Sequence, residues 1–136
     1  MCTPTAAADP SAEEVGAAFA RVVDLPGEVS LAAALIERGG PRFFLTQKAE
    51  RSMPTGPKGE VASPRELVTR VHARRQSNLS IVHTGAASPG AVSKIWRIRS
   101  REGRLILVAA VWNGKAANLP ALETAAEPLL KLMRER

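Results

Sequence analysis

The amino-acid sequence predicts an α+β fold: a mainly antiparallel sheet of about four strands, including a β-hairpin in the C-terminal half, with an N-terminal helical pair, one middle helix and a closing C-terminal helix. Three observations carry that expectation. Helix-start signatures of the S-x-x-E type occur at Ser11–Glu14 and Ser63–Glu66, where hydroxyl and carboxylate satisfy the orphan amides of a first turn. Between Lys94 and Trp112 two β-rich runs meet at Arg101-Glu102-Gly103-Arg104, with Gly103 able to take the positive φ of a tight hairpin turn. The second of these runs, Leu105 to Trp112, is apolar at every position, the pattern of a strand buried on both faces.

Taken in order, residues 1–10 read as a disordered tail of Thr, Ala and Pro, and residues 11–136 as a single α+β domain. The first helix, from about residue 12 to 24, has Val15, Ala18, Phe19, Val22 and Val23 at helical spacing and stops at Leu25-Pro26-Gly27. A second helix is expected from about 28 to 38, with Leu31, Ala34 and Leu35 turned inward and Gly39-Gly40 as its C-cap. Arg42 to Thr46 is a short strand candidate, followed by a Pro- and Gly-rich flexible loop over 47–62. Ser63-Pro64-Arg65-Glu66 then opens a helix to about residue 77, whose narrow stripe of Leu67, Val68 and Val71 places it on the surface.

Leu79 to Thr84 is the next strand candidate, and the hairpin follows it. With Glu102-Gly103 as a two-residue turn, Arg99 faces Ile106 and Arg97 faces Val108; a three-residue loop with a bulge would shift this pairing but not the alternation along the first strand. Trp96 and Ile98 then share the core side with Leu105, Leu107, Ala109 and Val111, while Arg97 and Arg99 share an open side with Trp112. Asn118-Leu119-Pro120 opens the last helix, where Pro128 is expected to produce a kink or two short segments.

The formal net charge of +6 is unevenly spread. Residues 1–41 carry two arginines against six acids, and residues 42–104 carry thirteen Lys and Arg against four. A positive excess confined to the middle of a chain points to a polyanionic partner. The expectation is a non-catalytic nucleic-acid-binding domain, for DNA or RNA. Its candidate contacts are Arg97, Arg99, Arg101 and Arg104 on the hairpin, Arg70, Arg74 and Arg75 on the middle helix, and Lys48, Arg51 and Lys58 in the loop. Guanidinium forks match phosphate oxygens, and Trp112 is a candidate stacking platform. The alternative is a protein-interaction module or homodimer, with the acidic N-terminal segment and the basic sheet engaging different partners.

Other chemistry finds little support. Thr55-Gly56-Pro57-Lys58-Gly59 lacks the spacing of a P-loop, and His72 and His83 have no partner ligands at metal-binding spacing. Acid–base and nucleophile candidates match no catalytic pattern, so neither an enzyme nor a cofactor is expected. A single cysteine, no leader-like N-terminus and no apolar run of membrane-spanning length set the expectation of a cytoplasmic protein without membrane attachment.

Overall fold

The computed structural model describes residues 12–55, 61–76, 85–88 and 90–135. Its elements are α1 (Ala12–Val23), β1 (Glu28–Glu37), β2 (Gly40–Gln47), β3 (Met53–Pro54), β4 (Val61–Ala62), α2 (Pro64–Gln76), β5 (Gly85–Ser88), β6 (Ala91–Arg99), β7 (Leu105–Asn113) and α3 (Leu119–Arg134). Among the described residues the main sheet has five strands in the order β2-β1-β7-β6-β5, with every neighbouring pair antiparallel. The α+β class is therefore as expected. The tail 1–10, the cap residue Ser11 and the expected strand Leu79–Thr84 lie outside the described residues.

The expected N-terminal helical pair is half wrong. Only its first member is a helix; residues 28–37 form β1, which lies between β2 and β7. Leu31-Ala32-Ala33-Ala34-Leu35 has strong local helix propensity, but propensity is a weak prior that tertiary pairing overrides. Val29 through Ala34 are all buried, so the run was built for a strand with both faces covered. The glycines after it serve a hairpin turn instead of a helix C-cap, with Gly40 at φ 121°.

The second correction is the register of the β6–β7 hairpin. Its loop has three residues, Arg101 to Gly103, closed by Ser100 N–H to Arg104 O at 2.8 Å and Gly103 N–H to Ser100 O at 2.9 Å. Gly103 takes φ 82°. Arg99 therefore pairs with Leu105, Ile98 with Ile106 and Arg97 with Leu107. A shift of one residue turns every β7 side chain to the opposite face. Ile98 shares its face with Ile106, Val108 and Trp112, whereas Arg97 and Arg99 share theirs with Leu105 and Leu107.

Helices cover both faces of the sheet. On one side α1 and α3 enclose Val22, Leu31, Val108, Trp112, Leu122 and Leu129. On the other, α2 lays Leu67, Val68 and Val71 over Ala34, Leu107 and Ala109. Alanines at 32–34 let helices approach a strand from both sides. Burial of each large apolar side chain in these layers contributes roughly 1.5–3 kcal/mol. α3 starts at Asn118, whose side chain accepts from Ala121 N–H at 2.8 Å, and it continues through Pro128 as one helix.

The stretch expected as a flexible loop is, where described, pinned to the sheet. β3 pairs with β4, Ser93 Oγ donates to Thr55 O at 2.8 Å, and Asn113 Nδ2 donates to Pro54 O at 2.9 Å. This places β3 and β4 at the sheet end where β1 begins and β7 ends.

The Ser63 capping box forms as expected. Glu66 N–H donates to Ser63 Oγ and Ser63 N–H donates to Glu66 Oε1, each at 3.1 Å, and Ser52 Oγ adds a third bond at 3.0 Å. The Ser63 backbone bond foremost, and then the Ser52 hydroxyl, hold the Glu66 carboxyl below the usual carboxylate range. Such a lowered value stabilises the fold above the unfolded carboxylate pKa of about 4.3 and is lost as pH falls through the folded value. Glu66→Gln should therefore lower the thermal midpoint at pH 7, and that deficit should shrink as pH falls below the unfolded carboxylate value. Melts of both proteins across that range check it, and a pH-independent difference would contradict it.

Candidate nucleic-acid interface

The antiparallel pairing of β1 with β7 sets Leu35 opposite Ile106, so the β1–β2 turn and the β6–β7 loop project from the same end of the sheet. Arg38 and Arg42 come from the first hairpin; Arg97, Arg99, Arg101 and Arg104 come from the second. All six are exposed. The same two hairpin ends carry two carboxylates, Glu37 and Glu102.

Local bonds orient these side chains. Ser100, buried at the base of the loop, accepts from Arg104 N–H through Oγ at 3.1 Å. Arg99 donates to Gly103 O at 2.9 Å, which folds it back toward the loop. Arg101 N–H donates to Arg134 O at 2.8 Å, tying the loop to the end of α3. Arg42 binds Glu37 through Nε at 2.9 Å, and Arg104 binds Glu102 at 3.0 Å. Such exposed pairs stabilise by about 0–1 kcal/mol and exchange readily for another anion. Among the described residues no carboxylate pairs with Arg97 or Arg99.

The other expected contacts fall elsewhere. Arg51 pairs at 2.7 Å with Glu28, which stands opposite Asn113 at the far end of the sheet. Lys48, in a left-handed conformation at φ 49°, follows the end of β2 on that same side. The β1–β7 ladder between the two ends runs from Glu28 to Leu35, about 23 Å at ~3.3 Å per residue. Arg70 pairs with Glu66 at 3.2 Å along α2, and Arg74 and Arg75 belong to the last turns of that helix. Lys58 lies outside the described residues.

Trp112 corrects the sequence reading outright. It is 1% exposed, packed in the α1/α3 layer, and its Nε1–H donates to Pro26 O at 2.7 Å. A ring held this way is no platform for bases. Arg38 and Arg42 were the residues missed, because Gly39-Gly40 read as a helix end. The signal was present in Arg38-Gly-Gly-Pro-Arg42, a turn with an arginine on either side. Arg65 is likewise structural: it sits 4.5 Å over the Phe43 ring and pairs with Glu50 at 3.3 Å, fastening α2 to β2.

Fold and surface together define an α+β layered protein with helices on both faces of an antiparallel sheet and a basic end. No family model, no curated protein and no solved structure matches the chain.

Trp112→Phe should reduce stability by about 1–2 kcal/mol through loss of the indole bond and some packing. Urea denaturation measures that loss. Any binding at the basic end should remain unchanged in the same variant, and a selective loss of binding would return Trp112 to the interface.

Proposed function

We propose that this chain is a non-catalytic nucleic-acid-binding protein that engages the sugar–phosphate backbone through the arginine-rich end of its sheet. The observation that carries the reading is the convergence of Arg38 and Arg42 with Arg97, Arg99, Arg101 and Arg104 on two adjacent hairpins with two carboxylates. Arginine presents planar donor forks that fit phosphate oxygens in pairs. Clustered cations also raise the local concentration of a polyanion and accelerate its capture. Affinity then comes from the backbone and falls steeply with salt.

The test compares two charge-matched variants. Arg97→Glu/Arg99→Glu alters the basic end, and Lys48→Glu/Lys115→Glu alters the other end by the same four charge units. Anisotropy of labelled oligonucleotides should give micromolar binding at low salt. If three to five phosphates are neutralised, the slope of log affinity against log salt should be roughly −2 to −4. The first variant should lose at least about tenfold, or 1.4 kcal/mol, and the second should stay within about twofold. No micromolar binding at low salt, binding unaffected by salt, or equal losses from both variants would remove the proposal.

A further inference from the structure

The two hairpins part company at the basic end. The β1–β7 ladder stops at Leu35–Ile106, yet β1 continues with β2 to Glu37–Gly40, and β7 continues with β6 to Arg99–Leu105. Past the last shared rung, a notch opens between the two tips. It is an open concavity of about 510 Å³, with Leu35, Ile36 and Leu105 among its walls and Arg42, Arg99 and Arg104 around it. Its size falls in the range of small-molecule sites, roughly 300–1,000 Å³.

Resting on the nucleic-acid reading above, we infer that this notch seats one unpaired nucleotide, so that the chain prefers single strands to duplex. The chemistry of the walls matches the two halves of a nucleotide. The lining is more polar than apolar; its apolar part is a small patch at half-buried Ile36, on the α2 side, against which a base face leaves water, and the surrounding guanidiniums are what a phosphate pairs with. Arg42 on β2 and Arg99 on β6 stand three strand spacings apart, about 14 Å at ~4.8 Å each. That span covers a short run of phosphates on one strand. Glu37 also lines the notch, but its carboxylate is engaged by Arg42 Nε, which leaves the two terminal nitrogens of that arginine outside the bond. A paired base is enclosed by its own duplex and offers the notch nothing apolar. An unpaired base enters it.

The experiment uses the full chain with three labelled 12-mers: a single strand, an abasic strand of equal phosphate number, and a duplex. The base-bearing single strand should bind roughly tenfold more tightly than the abasic strand, the effect of one base face leaving water. Ile36→Asn, a half-buried position on the wall, should bring the base-bearing strand down to the abasic level and leave abasic binding unchanged. Ile36→Val should restore the preference, and a melt of each variant verifies folding. Equal affinity for base-bearing and abasic strands, or tighter binding of duplex, would overturn the seat while leaving the backbone-binding reading intact. Failure of every strand to bind at low salt would overturn that underlying reading, and the seat with it.

Discussion

Everything in this fold depends on β1 and β7 lying side by side with both faces covered. A strand in that position has no water to satisfy its amides, so each must find a partner in a neighbouring strand. β1 finds them in β2 and β7, and β7 finds them in β1 and β6. Both strands pay for double coverage with composition: LAAAL in one and LVAAV in the other, small enough for helices to close on either side. The antiparallel register also decides where the charged tips go. Pairing Leu35 with Ile106 brings two hairpin turns to one end, and it is there that the shared ladder ends.

That geometry explains why the local arginines do not serve the core. Arg97 and Arg99 share the α2 side of the sheet with Leu105 and Leu107, and both stay exposed. Six guanidiniums around two carboxylates repel one another, and exposed ion pairs return little stability. The fold tolerates this cost because the tips are solvated and the loop is fixed by backbone bonds through Ser100 and Arg134. In the proposed function, an incoming phosphate relieves the repulsion and takes over the partners that Glu37 and Glu102 provide in its absence.

Much of the fold was legible in the sequence where local chemistry and tertiary demand agree. The Ser63–Glu66 box, the Asn118 cap and the apolar run of β7 each signal the same state at both levels. β1 was not legible because its alanines favour a helix locally, and the strand exists only through its neighbours. The β6–β7 register was lost for a smaller reason: a three-residue loop and a two-residue turn place the same Gly103 at positive φ but differ by one step in pairing. The basic site was half legible. Alternation exposed Arg97 and Arg99, whereas Arg38 and Arg42 were hidden by the misread glycines. Lys48 and Arg51 were candidates as cations of a Pro- and Gly-rich loop, but strand direction carries them to the opposite end.

The most direct test of the account is a titration of the isotope-labelled chain with a short single-stranded oligonucleotide, followed by amide and arginine side-chain NMR shifts. Saturable shifts are expected at residues 36–42 and 97–105, with residues 48–54 and 113–117 unmoved. Shifts centred on those latter residues, or spread evenly over all exposed cations, would contradict it.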